Sequence, residues 1–274
     1  MNTKLIFLDI DGTLTEPGSN TPPGSALMAI RKAREKGHKV FLCTGRNVGM
    51  LRPLLKYGFD GVVALGGGYI LVGDEVIYDC PMDDDQRDTA MDVLKRHGVF
   101  RTIEARDMTF GDENLGDFLS GQSAGNSEIE RWRKALSESL GIRPMSEYDG
   151  RPIYKVVIMC TDNEQLDEAR QLLEQDFNFA IQDVAAHACL NGDLVNRKFD
   201  KGQAVQRVCA HLGVDVKDTY GFGDSMNDLE MIETVGVSVC MDNGSDTLKA
   251  ISDVIAPAVT EDGLYKAFRD LDLM

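Results

Sequence analysis

Short apolar runs alternate with amphipathic stretches from the start of the chain. Residues 5–8 form a continuous apolar run of the length typical of a buried strand, and residues 39–43 and 61–65 form two more. Between these runs, residues 25–36 and 48–57 have the periodicity of helices. The order strand, helix, strand, helix, strand predicts a parallel sheet that is covered by helices.

The pattern changes after residue 81. The elements expected there are helices at 83–97, 127–140 and 162–175, strands at 99–104, 153–160 and 179–184, and a long polar loop at 105–126. This mixture predicts a compact α+β unit that is inserted into the sheet domain.

The first pattern resumes near Leu190. Asn191-Gly192 is typical of a turn, and Asp200 with Gln203 is placed to cap a helix at 202–211. The remaining expected elements are strands at 219–222, 237–240 and 253–256, helices at 229–234 and from 263, and one short helix before the last strand.

These elements predict two domains. Residues 1–81 and 190–274 are expected to form an α/β core with a Rossmann-like parallel sheet, and residues 82–189 a smaller α+β cap. Ligands bind such sheets at the carboxyl ends of the strands, where Asp9 and Thr44 fall.

Composition narrows the class of protein. The chain has 274 residues and a formal net charge of -16, which argues against a nucleic-acid partner. Its six cysteines form no C-x-x-C pair and its four histidines lack metal-ligand spacing, so reduced thiols and non-catalytic histidines are expected. Without a leader pattern or a run of membrane-spanning length, we expect a cytoplasmic location and no membrane partner.

Two carboxylates, Asp9 and Asp11, follow the first predicted strand and are separated by one residue. Because side chains alternate along a strand, both carboxylates can point the same way as the strand ends. Like charges at that distance raise each other's pKa, so a cation or a shared proton is needed to stabilise them. An acid-rich turn would explain this stretch equally well on its own.

Other polar residues fall at strand ends or at a helix start. Thr44 follows the second strand, and Lys201 falls in a first helical turn, where a cation opposes the helix dipole. Asp224 and Asp228 follow the strand at 219–222. A turn hydroxyl, a solvated lysine and a helix cap would explain them one by one. Together they supply carboxylates for Mg²⁺, a lysine and a hydroxyl for phosphoryl oxygens, and a spare carboxylate for proton transfer.

Four stretches, in this order, resemble the motifs of the haloacid dehalogenase (HAD) superfamily. They are Asp9-Ile10-Asp11-Gly12-Thr13, Thr44-Gly45-Arg46, Lys201-Gly202 and Gly223-Asp224-x-x-Asn227-Asp228. The unit expected between the second and third motifs resembles the cap of the Cof-like phosphatases. The resemblance covers nearly the whole chain and implies a HAD-like fold.

The resemblance also implies an aspartyl-phosphate mechanism with Mg²⁺. Asp9 would be the nucleophile, and Asp11 would protonate the leaving oxygen and then activate water. Mg²⁺ would be held by the Asp9 carboxylate, the Asp11 backbone carbonyl and Asp224. Asp228 would support the metal site or Lys201.

Phosphate-binding residues are implied in the same way. Thr44 and Lys201 would hold the transferring phosphoryl group, with help from Asn227. Gly45 and Arg46 are candidates for substrate contact.

The activity implied is hydrolysis of a phosphomonoester of a small metabolite, such as a sugar phosphate. A phosphomutase with the same site is the alternative, and release of inorganic phosphate separates the two. A receiver-type signalling module also uses a strand-end Asp, a Thr and a Lys, but it is shorter and lacks a cap. Within the insertion, Arg106, Arg151 and the loop at 105–126 are candidates for selecting the substrate.

Two stretches depart from the Cof-like pattern. Gly66-Gly67-Gly68 stands where an Asn-Gly pair is often found. Because the run is not part of the G-x-x-x-x-G-K-[ST] pattern of a phosphate-binding loop, a turn is the favoured interpretation. Met241-Asp242-Asn243-Gly244 stands in place of the usual Met-Gly-Asn.

Overall fold

The computed structural model describes residues 2–116, 142–182 and 190–274. Within these ranges the strands are β1 (Leu5–Leu8), β2 (Lys39–Cys43), β3 (Gly61–Ala64), β4 (Tyr69–Val72), β5 (Glu75–Asp79), β6 (Phe100–Ala105), β7 (Thr109–Gly111), β8 (Ile142–Pro144), β9 (Ile153–Cys160), β10 (Phe177–Gln182), β11 (Leu190–Asn196), β12 (Thr219–Gly223), β13 (Val237–Met241) and β14 (Val254–Ala256).

The α-helices in the same ranges are α1 (Gly24–Glu35), α2 (Val48–Leu55), α3 (Asp84–Arg96), α4 (Asp167–Leu173), α5 (Lys201–Leu212), α6 (Leu229–Thr234), α7 (Asp246–Ile251) and α8 (Gly263–Asp270). The helix expected at 127–140 and the second half of the loop expected at 105–126 lie outside the described residues. Among the helices that are described, none has the length and apolarity of a membrane span.

Eight strands form the first sheet, in the spatial order β14-β13-β12-β1-β2-β3-β4-β5. The six strands from β14 to β3 are parallel, and β4 and β5 add an antiparallel hairpin. On the central strand, Leu8 pairs with Leu42 of β2 and with Phe222 of β12. This register brings the carboxyl ends of three neighbouring strands to one edge, and the predicted parallel sheet is confirmed.

Continuous apolar runs form the central strands because helices cover both faces of the sheet. All four residues of β1 are fully buried. The rings of Phe7 and Phe41 stack with their centroids 5.2 Å apart. Helix α5 packs in the same cluster through Val205 and Val208. This packing fixes where the first residue of α5 lies relative to the end of β1.

Six strands form the second sheet, in the order β10-β11-β9-β6-β7-β8. All of its strand pairs are antiparallel except β7 with β8. Helices α3 and α4 bury Val93, Leu94 and Leu173 in one cluster with Ile103 and Ile158 of the sheet. Asp162 and Gln165 form a reciprocal cap at the helical turn before α4.

The chain separates into two compact units, one comprising Met1–Arg46, Leu51–Asp79 and Phe199–Met274, and the other Asn47–Met50 and Cys80–Lys198. The start of the second core segment at residue 190, expected from the sequence, is therefore wrong. Strand β11 pairs with β9 and β10 in the second sheet. Asn191 and Gly192 lie inside that strand, because pairing on both sides outweighs their preference for a turn.

Gly202 permits the close packing of α5 on α6 and provides a test of it. A Cβ at this position would lie 2.3 Å from the carbonyl oxygen of Glu230. Alanine normally stabilises a helix interior by about 1 kcal/mol relative to glycine. Because the clash is with backbone, Gly202→Ala should instead lower the free energy of unfolding measured in urea.

Gly24→Ala is the matched control, since nothing lies within 4 Å of a Cβ at the first residue of α1. It should leave stability unchanged or raise it slightly. An increase in stability for Gly202→Ala would contradict the close approach of α5 and α6.

Candidate active site

Asp9 and Lys201 lie at the centre of a buried ionic cluster. Asp9 follows β1, and Lys201 is the first residue of α5, whose N-cap Asp200 accepts a hydrogen bond from the Gln203 N–H. Lys201 Nζ lies 2.7 Å from Asp9 Oδ1 and 2.5 Å from Asp228 Oδ1. The three side chains are 2%, 6% and 0% exposed, in the order Lys201, Asp9, Asp228. Residues from three distant motifs therefore meet at one ammonium group.

Asp224 adds a third carboxylate to this cluster. Side-chain oxygens of Asp9, Asp224 and Asp228 all lie within 4.8 Å of one another. Asp228 Oδ2 accepts hydrogen bonds from the N–H groups of Asp224 and Ser225, at 3.0 and 3.1 Å, which fixes the turn after β12. Thr13 Oγ1 donates to Asp224 Oδ1 at 3.1 Å, a contact that gives the threonine of the first motif a part in the site.

Two glycines let the backbone come close to these carboxylates. Gly12 has φ +89°, and a Cβ there would lie 2.4 Å from Asp224 Oδ2. A Cβ on Gly223 would lie 2.6 Å from the Asp228 side chain. Larger residues at either position would displace a carboxylate of the cluster.

Burial and mutual repulsion shape the electrostatics of the cluster. Burial, and then the charge of Asp228, raise the pKa of Asp9 well above its ordinary value of 3.8, against the opposing effect of Lys201. The same two causes raise the pKa of Asp224 from 3.8 to about 7. Burial alone would lower the pKa of Lys201, but Asp228 and Asp9 outweigh it and raise that pKa, so the ammonium stays protonated.

The charges in the cluster do not balance. With all three carboxylates ionised, one ammonium would leave two negative charges uncompensated, which is why burial and repulsion raise the pKa of Asp9 and of Asp224. A divalent cation would supply the missing charge, and carboxylate oxygens are the ligands that Mg²⁺ prefers. The donor set therefore fits such an ion.

Asp11 is not one of the three carboxylates in this cluster, and its carboxylate pairs with Arg46 instead. Its Oδ2 accepts from Arg46 Nε at 2.8 Å, and its Oδ1 accepts from Arg46 Nη2 at 2.6 Å and from the Gly18 N–H at 2.8 Å. The difference arises because β1 ends at Leu8, so the alternation of a strand does not extend to residue 11. Arg46, a candidate for substrate contact, has its guanidinium against this carboxylate.

The other residues predicted for the site are Thr44, Gly45 and Asn227. Thr44 is buried just after β2, where its Oγ1 accepts from the Arg46 N–H at 3.2 Å, and Gly45 is half-buried between the two. Asn227 is exposed, and its Oδ1 accepts from Lys201 Nζ at 3.3 Å and from Ser225 Oγ at 3.0 Å. Their roles toward a phosphoryl group stay predictions.

Asn243 supports the site in a way that the sequence did not reveal. Its Nδ2 donates to the carbonyl of Gly12 at 2.8 Å, and its Oδ1 accepts from the Val259 N–H at 2.9 Å. The neighbouring Ser245 N–H donates to the carbonyl of Asp224 at 2.8 Å. Asn243, in the stretch that departs from the Cof-like pattern, and Ser245, just after that stretch, thus support the backbone of two motifs. The Asn243-Gly244 pair was the feature of the sequence that could have drawn attention to this stretch.

The glycine run forms a turn, as its sequence predicts. Leu65, Gly66 and Gly67 all have positive φ angles. The Gly66 N–H donates to the Thr44 carbonyl, and a Cβ on Gly67 would lie 2.5 Å from the Asp200 carbonyl oxygen. The turn therefore packs between the end of β2 and the start of α5.

Comparison with known proteins agrees with this geometry. A family model described as haloacid dehalogenase-like hydrolase matches residues 6–268. The putative phosphatase YkrA of Bacillus subtilis (strain 168) is 28% identical over 280 residues, with both chains covered in full. The 5-amino-6-(5-phospho-D-ribitylamino)uracil phosphatase YwtE of the same strain is 27% identical, with 95% of each chain covered. The structure of the HAD subclass IIB sugar phosphatase BT4131 has a TM-score of 0.79 and 22% identity, and covers 99% of this chain and 100% of that one.

The chain belongs to the haloacid dehalogenase-like hydrolases, and it is a phosphatase of that family. The family, the fold class and the enzyme class predicted from the sequence are confirmed.

The raised pKa of Asp224 predicts that the stability of the metal-free protein depends on pH. Unfolding lowers this pKa from about 7 to the ordinary 3.8. Protonation of Asp224 therefore stabilises the folded state fully below pH 3.8, and this stabilisation is lost as the pH rises through about 7. We expect the thermal midpoint in EDTA to fall across this range, and Mg²⁺ to raise it more at about pH 8 than at about pH 5.

Asp224→Asn should weaken both responses, because it removes the titrating carboxylate. Asp85→Asn, at an exposed position of α3, is the control and should leave both intact. A Mg²⁺ effect of equal size at the two pH values in the wild type would contradict the electrostatics described above.

Proposed function

We propose that this chain is a Mg²⁺-dependent phosphomonoesterase that hydrolyses a small phosphorylated metabolite through an aspartyl-phosphate intermediate. The observation that carries the proposal is the buried Lys201 ammonium, 2.7 Å from Asp9 Oδ1, within a group of three carboxylates. Attack of a carboxylate on a phosphate ester brings negative charges together. Fixed cations in a site with little water therefore lower its barrier.

Asp9 and Asp224 would hold the cation, together with the backbone carbonyl of Asp11 that the family resemblance implies. Asp228 would keep the site in shape, since its oxygens contact Lys201 and two backbone N–H groups. When bound, the cation would neutralise charge on the phosphoryl oxygens and polarise the phosphorus as a Lewis acid.

In the first half of the proposed reaction, an Asp9 carboxylate oxygen attacks the phosphorus of the monoester. The bond from phosphorus to the leaving oxygen breaks, and its electron pair stays on that oxygen. Protonated Asp11 gives its proton to the leaving oxygen, so the product leaves as an alcohol. The position of Asp11 outside the carboxylate cluster supports this role, because its carboxyl group is not shared with the other three.

In the second half, a water oxygen attacks the phosphorus of the aspartyl-phosphate and gives a proton to the Asp11 carboxylate. The bond from phosphorus to Asp9 breaks, and its electron pair returns to the Asp9 carboxylate. Inorganic phosphate leaves, with Asp11 protonated again for the next cycle.

Thr44, Lys201 and Asn227 would orient the phosphoryl group. Lys201 supports this role because its ammonium already contacts Asp9 and Asn227, so an oxygen on the attacked phosphorus would lie near it. Thr44 lies at the end of β2, the strand beside β1.

A sugar phosphate or a related polyol phosphate is the substrate class that we propose. One structure with the same fold is named as a sugar phosphatase, and one relative is named for a phosphoribitylamino compound. The second unit would select among such substrates. Of its candidate residues, Arg151 donates to Asp149 at 2.9 Å and to Asp107 at 3.2 Å.

Phosphate release over a panel of phosphorylated metabolites tests the reaction class. One inorganic phosphate per ester consumed supports hydrolysis, whereas an isomerised ester without phosphate release would support the phosphomutase. Steady turnover of p-nitrophenyl phosphate with Mg²⁺ would contradict a receiver-type module.

A cytoplasmic location completes the proposal. Cys43, Cys160, Cys209 and Cys240 are buried free thiols, as is typical of a reducing compartment. Cys189 and His187 lie outside the described residues.

Asp9→Asn should remove the nucleophile and lower the turnover of p-nitrophenyl phosphate by at least ~10³-fold. The fold should persist, because Lys201 keeps its buried pair with Asp228 and the amide relieves repulsion among the carboxylates. Labelled phosphoprotein should form in the wild type and not in the variant, and EDTA should abolish turnover until Mg²⁺ is added. Asp85→Asn is the control for a lost surface charge. An Asp9→Asn enzyme that keeps its activity would refute the assignment of the nucleophile.

A further inference from the structure

We propose that Arg46 is a positioning residue that holds the Asp11 carboxyl group apart from the metal-binding carboxylates, where it can exchange a proton with the leaving oxygen and with water. This role presupposes the aspartyl-phosphate reaction proposed above. It differs from the substrate contact that the sequence suggested for Arg46.

The geometry of the pair is the first support. Arg46 Nε lies 2.8 Å from Asp11 Oδ2, and Nη2 lies 2.6 Å from Oδ1, so the guanidinium grips both oxygens. The side chains of Arg46 and Asp11 are 7% and 18% exposed. A planar two-point contact of this kind fixes the orientation of a carboxylate as well as its position.

The surroundings of Arg46 fix it in turn. Its Nη1 donates to Asn20 Oδ1 at 2.6 Å, and Nη2 also donates to the Ser19 carbonyl at 3.3 Å. Its backbone N–H donates to Thr44 Oγ1, and its carbonyl accepts from the Leu65 N–H. The guanidinium is therefore held by the loop after β1, and the backbone of Arg46 is held by the residues that follow β2 and β3.

Few donors of Arg46 remain for a substrate. A guanidinium carries five N–H groups. Four hydrogen bonds already go to Asp11, Asn20 and Ser19. Two-point recognition of a phosphate would require some of these bonds to break, which makes direct substrate binding the weaker explanation.

The need for such a residue follows from the spacing of the first motif. Asp9 and Asp11 are separated by one residue, and a divalent cation at the site would attract both carboxylates. Asp9 belongs to the cluster within 4.8 Å, whereas Asp11 does not. A carboxylate drawn to that cation would compete with Asp9 for it. By pairing with Asp11, Arg46 keeps the nucleophile and the proton carrier in different places.

Comparison of two aryl esters separates proton transfer from binding. Nitrophenolate is a good leaving group that needs little protonation, whereas phenolate is a poor one that depends on a general acid. If Arg46 acts through Asp11, Arg46→Met should lower kcat/KM for phenyl phosphate by ~10²-fold or more. For p-nitrophenyl phosphate, the initial burst of nitrophenol should change by less than about threefold, with slow turnover after it. The inhibition constant of inorganic phosphate should stay the same.

The Asp11→Asn background tests whether Arg46 acts through Asp11. Adding Arg46→Met to Asp11→Asn should cause no further loss with either ester, because the partner on which Arg46 acts is already disabled. Should Arg46→Met fold poorly, Arg46→Lys gives the same comparison, since it keeps the charge but loses the planar fork.

Arg101 offers a matched control in the second unit. It holds Asp112 by the same two-point contact, at 3.0 and 2.6 Å, and the two side chains are again 7% and 18% exposed. Arg101→Met should lower the thermal midpoint about as much as Arg46→Met, because each leaves a half-buried carboxylate without its cation. It should not change the ratio of the rates with the two esters.

Three results would overturn the role of Arg46: equal losses for the two esters, a further loss in the Asp11→Asn background, or weaker inhibition by phosphate together with a raised KM. A wild-type enzyme that releases phosphate from neither ester, or whose Asp9→Asn variant is fully active, would refute the proposed function, and the role of Arg46 with it.

Discussion

The buried ammonium of Lys201 is the contact on which the site depends. It bridges Asp9, after the central strand β1, and Asp228, after the neighbouring β12. Removing one member of a buried ion pair leaves an uncompensated charge, at a cost of roughly 3–5 kcal/mol. Yet the single positive charge of this ammonium does not neutralise three ionised carboxylates. The fold therefore maintains a site that gains stability when further positive charge is bound.

Sequence patterns were sufficient to predict strands and helices where local preference and tertiary packing agree. The apolar run of β1 is continuous because parallel strands are buried on both faces, and the Asp200 cap fixes the start of α5. They failed at Asn191-Gly192. A pair that favours a turn lies inside β11 because both edges of that strand are paired. Sequence alone does not show which neighbours a strand will have.

The candidate site shows the same limit at the level of side chains. Taken together, the residue types at the ends of β1 and β12 and at the start of α5 predicted that Asp9, Lys201 and Asp224 come together. Parallel strands bring the two carboxylates to one edge, and the packing of α5 on the sheet brings the lysine there. The direction of Asp11 was not predictable, since the strand ends before it and Arg46 determines where its carboxylate lies. The hydrogen bond from Asn243 to Gly12 likewise joins distant residues that only the completed sheet brings together.

The position of β1 has a consequence for synthesis on the ribosome. One edge of this strand pairs with β2, which emerges soon after it, but the other edge pairs with β12, where Phe222 lies opposite Leu8. The strands of the second sheet must therefore be synthesised while β1, whose four residues are all buried in the folded protein, has an open edge, a state that is prone to aggregation. Chaperones that cover nascent chains would meet this protein in that interval.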